Sequence, residues 1–204
     1  MARWHSALLW ALYVTALLAQ EQPQVRSSVA PAKAKASFPD RGAISAGVYH
    51  NSSLGFSYKL PYSWVDRTAD MQDDSEAASK SKVLLATFER PPEAPGDTIN
   101  SAVVIAAEPV PAGITSAGEY FLSLSELTTA KGFQAEEEPH EFSVGTTRLV
   151  RGDFSKARGT LTVRQTSLVK LQKGYAVSFT FIGGSADEVN ELIEKLSFAA
   201  RKSH

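Results

Sequence analysis

The stretch YAVSFTFIGGSADEVNELI, residues 175–193, holds a strand and a helix in immediate succession. Tyr175, Val177, Phe179 and Phe181 alternate with Ala176, Ser178 and Thr180. That two-residue period is the mark of a β-strand with one face buried. Gly183 and Gly184 end the strand. Ser185, with Glu188 three positions on, then has the form of a helix cap, in which side-chain oxygens take up orphan backbone amides. Val189, Leu192, Ile193 and Leu196 follow at the i, i+3, i+4, i+7 spacing of a helix with one apolar side. Both apolar faces need cover, so the chain builds a sheet with helices packed on it.

Working upstream, TTRLVRGDFS (146–155) and TLTVRQTSLVKL (160–171) read as two further strands. The short connections KARG (156–159) and QKG (172–174) make the three strands an antiparallel meander. VLLATFE (83–89) and AVVIAA (102–107) are nearly continuous apolar runs, as expected of central strands covered on both sides. The segment between them, RPPEAPGDT (90–98), is a loop, because its prolines cannot donate to a ladder. A second helix is marked by SAGE (116–119), another capping box, with Tyr120, Leu124 and Leu127 on one side and Phe121 beside them. Lys131 and Gly132 close it. The fold class is α+β, a mainly antiparallel β-sheet sandwiched by α-helices.

The N-terminus carries Arg3 and His5 ahead of an uncharged apolar run from Ala7 to Ala19. That run is too short for a membrane span and has the form of an export signal, residues 1–19, cleaved after Ala19. Residues 20–45 are rich in Gln, Ser, Ala and Pro, the composition of a flexible linker. A single domain is expected from residue 46 onward to residue 204. The chain has no cysteine, which excludes disulfides, thiol catalysis and thiolate metal sites. A net charge of −1 with no basic tract offers no electrostatic footprint for nucleic acid.

LGFSYKLPYSWVDR (54–67) gathers Phe56, Tyr58, Tyr62 and Trp64 around Pro61. Phe56, Tyr58 and Leu60 alternate as an inward strand face, and Pro61 ends the pairing. Trp64 is expected to fold back onto the core and Tyr62 to stand at the rim, so these two are the candidate binding residues. In AEEEPHE (135–141), an extended backbone would set Glu136, Glu138 and His140 on one face, a donor set suited to Mn²⁺, Ca²⁺ or Zn²⁺. The same run reads equally as a solvated edge that discourages strand pairing. No Gly-x-Ser-x-Gly elbow occurs. His50 and His140, the histidines of the folded part, lie in no motif that implies a catalytic base. RGD (151–153) falls within a strand rather than at a loop tip, and NSS (51–53) has the form of a glycosylation acceptor.

The order of these elements resembles the PsbP-like fold. The residues that carry the resemblance are VYHNSSLGFSYKLPYSW (48–64), the strand KGYAVSFTF (173–181) and the helix SADEVNELIEKLSF (185–198), within a match over about residues 47–200. That fold is shared by an extrinsic photosystem II subunit, a Ran-binding nuclear import factor and many bacterial envelope proteins. The resemblance implies an antiparallel sheet between helices used as a non-enzymatic binding or assembly module, and it brings no site with it. The reading is therefore an exported, non-catalytic module without a cofactor, whose partner is another envelope protein. A carrier of a small apolar ligand between sheet and helix is the alternative, and a hydrolase without a sequence motif comes third. Intact-mass measurement of the exported protein should find a mature chain that begins at Gln20; a chain still beginning at Met1 would mark the segment as an uncleaved anchor.

Overall fold

The computed structural model describes residues 40–76, 81–94 and 96–199. The segment read as an export signal and most of that read as linker lie outside these residues. The strands are β1 (Ala43–Ser45), β2 (Val48–Asn51), β3 (Phe56–Lys59), β4 (Val65–Asp66), β5 (Lys82–Phe88) and β6 (Ala102–Pro109). They continue with β7 (Gln134–Ala135), β8 (His140–Val144), β9 (Thr147–Arg158), β10 (Leu161–Gln172), β11 (Tyr175–Gly183) and β12 (Leu196–Phe198). The helices are α1 (Thr68–Glu76), α2 (Ala117–Ala130) and α3 (Ala186–Ile193).

Every strand pairing is antiparallel. The large sheet runs β4-β5-β6-β11-β10-β9-β7, with β8 also paired to β9, and the small one runs β1-β2-β3-β12. β11 lies at the centre of the large sheet, a place its alternation did not foretell, since the alternation announced only one buried face. Its partner β10 is opposite it from Arg164↔Gly183 to Gln172↔Tyr175.

The cover on β11 differs from the expected helical layer. Phe179 meets Phe56 of β3 edge to face at 5.0 Å and Phe198 of β12 at 5.8 Å, while Phe181 lies 6.2 Å from Tyr58. The small sheet thus packs on the aromatic face of β11, with α3 on the same side. Offset and edge-to-face ring pairs at such distances add about 0.5–1.5 kcal/mol each beyond the area they bury. Phe56, Tyr58, Phe179 and Phe181 are all buried. A β-carbon on Gly183 would stand 3.1 Å from Val189 and Glu188 of α3, so the strand end and the helix come close there.

The second helix takes the opposite face. The pairs Ser167↔Gly152, Gln165↔Phe154 and Val169↔Val150 put Gly152, Phe154, Val150 and Val169 on the side away from Phe179. Phe121 of α2 stacks on Phe154 at 6.3 Å and is buried with it and Val169. A β-carbon on Gly152 would lie 2.5 Å from the Phe121 ring, so this glycine is the seat that lets the ring down onto the sheet. The capping box of α2 forms as read, with Ser116 Oγ accepting from the Glu119 amide and the Glu119 carboxylate from the Ser116 amide. Leu127 departs from the expected buried stripe and is 45% exposed. The stripe is centred instead on Phe121 and Thr128.

Three further departures concern edges and ends. Ala43–Ser45, read as linker, pairs with β2 through a turn at Ala46 and Gly47 with φ of 48° and 74°, the positive values that two-residue hairpins demand. Its approach is tied down by the side chains of β2: Tyr49 donates to Arg41 O at 2.6 Å and Asn51 Nδ2 to Asp40 O at 2.9 Å. β9 continues through Arg158, so the KARG connection shrinks to Gly159 and Thr160. Helix α1 was not foreseen because TADMQDDSE has no apolar stripe. It forms along the edge of β5, where Thr68 Oγ1 accepts from the Ala86 amide and Gln72 Oε1 from the Val83 amide, both at 2.9 Å. Thr68 and Gln72 are four apart, hence on one helix face. They satisfy edge amides that would otherwise template another strand.

Phe121→Ala should cost about 3–5 kcal/mol in urea denaturation, the range for deleting a buried aromatic. Tyr58→Phe should leave stability unchanged or raise it, because the Tyr58 hydroxyl is buried without a hydrogen-bond partner, so removing it relieves a desolvation cost. A large loss in Tyr58→Phe would show that the hydroxyl is satisfied in solution.

Candidate functional site

The acidic run does not assemble as its spacing suggests. β7 ends at Ala135 and β8 begins at His140, so no continuous strand alternates Glu136, Glu138 and His140 onto one face. Pro139, which has no amide to donate, lies in the break. The Glu136 amide bonds Asp153 O at 2.9 Å, and its carboxylate is drawn into an ion pair with Arg164 of β10. His140 Nδ1 lies 3.6 Å from Glu137 Oε1 and 3.4 Å from Glu138 O. Among the described residues no group of three or more His, Asp or Glu is placed to hold a metal ion. Glu136, Glu138 and His140 are all exposed, and Glu136 and His140 have different partners.

Tyr62 and Trp64 also part company. Tyr62 is 97% exposed, the most exposed large hydrophobic residue among those described. Ser63 beside it has φ of 62°, a left-handed conformation that non-glycine residues adopt at a cost. Pro61 fixes the other flank, so the ring stands on a tip held from both sides. Trp64 is half-buried, not enclosed. It precedes β4, whose Val65 and Asp66 pair with Phe88 and Thr87 at the outer end of β5. Trp64 therefore borders the large sheet rather than closing its core.

The RGD tripeptide is structural. The Arg151 guanidinium grips Asp153 with Nε on Oδ2 at 2.8 Å and Nη2 on Oδ1 at 3.0 Å, and both side chains are less than one-fifth exposed. Nη2 also reaches Asn190 Oδ1 of α3 at 3.1 Å, Thr166 Oγ1 of β10 donates to Asp153, and the Phe142 ring of β8 lies 5.0 Å from the guanidinium. One ion pair thus ties β8, β9, β10 and α3 together. Burial works to raise the Asp153 carboxyl, but the Arg151 and Thr166 hydrogen bonds and the charges of Arg151 and His140 outweigh it and hold the group below its ordinary 3.8. The NSS acceptor is likewise consumed. Asn51 is fully buried, donating to Asp40 O and Tyr49 Oη and accepting from Ser53 Oγ and the Leu54 amide.

A surface that the sequence did not disclose lies between the N-terminal end of α2 and strands β8, β9 and β10. It is an open groove of about 680 Å³ whose lining includes Leu122, Pro139, Arg148, Val150 and Leu171, with Glu138 and His140 among its polar residues. Leu122 is 60% exposed. Its place off the apolar stripe of α2 was the one available signal, but it became visible only once Phe121 defined the stripe.

No protein-family model matches the chain, and no curated protein matches it. Solved structures similar to it include a cyanobacterial PsbP from Synechocystis sp. PCC 6803, 12% identical over 74% of this chain and 91% of that one, with a TM-score of 0.48. LpqN, involved in cell envelope biogenesis of Mycobacterium tuberculosis, is 15% identical over 71% of this chain and 83% of its own, with a TM-score of 0.42. A protein of Bacteroides thetaiotaomicron VPI-5482 is 14% identical over 74% of this chain with a TM-score of 0.39, and the chain spans only 47% of that protein's length. A PsbP thus stands among the similar solved structures, the family that the sequence resembles. No residue role is carried across at these identities.

Because the Asp153 carboxyl is held low, the stability it contributes is present above its unfolded value, near pH 4, and is lost as pH falls through its folded value. Asp153→Asn should destabilise the protein at neutral pH by up to about 3–5 kcal/mol, the cost of leaving a buried partner uncompensated. It should also flatten part of the acid limb of the stability–pH curve. An unchanged acid limb would place the pair outside the stability of the fold.

Proposed function

We propose that this chain is an exported, non-catalytic binding module of the cell envelope that acts through protein–protein contacts, with Tyr62 as an anchor. The observation that carries the reading is the 97% exposure of Tyr62 on a tip fixed by Pro61 and the left-handed Ser63. A rigid tyrosine brings large contact area with only two side-chain torsions to freeze, which is why such residues recur at the centres of protein interfaces. Strained backbone at the tip is consistent with a shape kept for contact rather than for stability. Export rests on the N-terminal signal read from the sequence, and no helix among the described residues is long and apolar enough to cross a membrane.

The carrier reading needs room between a sheet and the helix that covers it. Where Phe121 of α2 sits directly on Gly152 and stacks on Phe154 that space is filled, and the groove at the N-terminal end of the helix is open rather than enclosed. The contact reading is therefore preferred.

Capture from envelope fractions with the tagged full-length chain tests the proposal. Tyr62→Ala should weaken recovery of the bound partner roughly tenfold or more, as for an anchor residue, with the unfolding midpoint unchanged because the ring packs on nothing. Equal recovery by Tyr62→Ala would remove Tyr62 from the interface. Turnover of simple ester, phosphate or glycoside substrates by the purified protein would overturn the non-catalytic assignment.

A further inference from the structure

The two sheets differ in how their edges are finished. The β5 edge of the large sheet is closed by β4 and by the Thr68 and Gln72 side chains of α1. The outermost strands of the small sheet, β1 and β12, have only three residues each. β8 has five residues and pairs with β9 alone among the described residues. It contains no proline, lysine or bulge, and the charge it sets against a neighbouring strand is the carboxylate of Glu141.

Its register decides which groups face outward. β8 and β9 are joined at Val144↔Thr147 across Gly145 and Thr146, and in a two-residue hairpin the closing pair exchanges both hydrogen bonds. Phe142↔Leu149 and His140↔Arg151 then repeat that inward bonding two and four residues on. The alternation leaves the N–H and C=O groups of Glu141 and Ser143 directed away from β9. Both residues are exposed. The strand itself is held firmly, because Phe142 stacks with the Arg151 guanidinium of the internal ion pair.

We infer that β8 receives an extended segment of a partner polypeptide, added antiparallel to its outer edge and bearing basic side chains. The unpaired main-chain groups at Glu141 and Ser143 set the backbone chemistry of the occupant, as in strand addition generally. The basic preference follows from the flank. Glu137 and Glu138 are exposed just ahead of β8, and Glu141 lies 3.5 Å from an Arg148 that is itself exposed, a pair too solvated to cancel its charge firmly. The same carboxylates oppose an acidic strand, so one feature both attracts and selects. This edge is a second surface, separate from Tyr62, and it rests on the binding-module reading only in assuming a polypeptide partner.

Amide NMR of the full-length chain tests the inference with synthetic peptides that share an alternating Val/Thr core and are flanked either by lysines or by glutamates. The lysine peptide should shift the Glu141 and Ser143 amides and slow their hydrogen exchange, leaving Phe142, already bonded to β9, unchanged in exchange. The glutamate peptide should bind at least roughly tenfold more weakly, a penalty within the several kcal/mol that opposed like charges can impose. Ser143→Pro removes an outward donor without touching a β9 bond and should abolish the effect, whereas Ser143→Ala should keep it. Equal binding of both peptides, shifts confined to other strands, or binding that survives Ser143→Pro would each overturn the assignment. A lysine peptide that fails while envelope capture still depends on Tyr62 would sink the β8 edge and leave the proposed function standing.

Discussion

The structure depends on the contact between the aromatic face of β11 and the small sheet. Phe179 lies between Phe56 and Phe198, and Phe181 meets Tyr58 one step along the strands. These rings join chain segments more than a hundred residues apart, so the first strands of the domain and its last must both be in place before the face is dry. The short strand β12 is the clasp: it pairs with β3 through Leu196↔Tyr58 and Phe198↔Phe56 while its Phe198 ring packs on Phe179. Much of the apolar free energy of folding, at about 25 cal/mol per Å² removed from water, is therefore gained across non-local contacts.

On the opposite face a second constraint takes over. Gly152 has no β-carbon, and Phe121 fills the space one would need. Its neighbours Arg151 and Asp153 point to the other side of β9 and form the ion pair that reaches Thr166 and Asn190. The three consecutive residues Arg151, Gly152 and Asp153 thus serve two packing faces of one strand. Paired and hydrogen-bonded charges of this kind add modest net stability but penalise any arrangement that leaves one of them alone. The effect is to hold β8, and with it the proposed strand-receiving edge, in one position relative to α3.

Legibility followed the range of the interactions. The meander, the capping box of α2 and the apolar runs at 83–89 and 102–107 were readable because their signals are periodic or local: Ser116 needs only Glu119, and the Ser185 cap only the Glu188 amide. The Glu188 carboxylate turns to the Gly184 amide and Ser101 instead of closing a second box. Helix α1 was not readable, since Thr68 and Gln72 act on β5 amides and no apolar stripe announces the helix. The grouping of Glu136, Glu138 and His140 failed for a related reason. Alternation holds only while a strand continues, and Arg164, on a strand distant in sequence, takes Glu136 for itself. Trp64 was expected to fold back onto the core after Pro61, yet it is half-buried at the border of the large sheet, because the β4 that follows it pairs with the outer end of β5.

Composition and periodicity alone determined that this chain carries no thiol chemistry and that it contains an antiparallel meander and two capped amphipathic helices. Each of these follows from residues within a few positions of one another. Only the tertiary structure decided that a second sheet, with α3 beside it, covers the aromatic face of β11, that Trp64 stands at the border of the large sheet rather than in the core, and that β8 pairs with β9 alone among the described residues. Those outcomes depend on which of several apolar faces reaches another first and on which cation claims which carboxylate. Such competitions are settled by distances in space, which spacing along the chain does not encode.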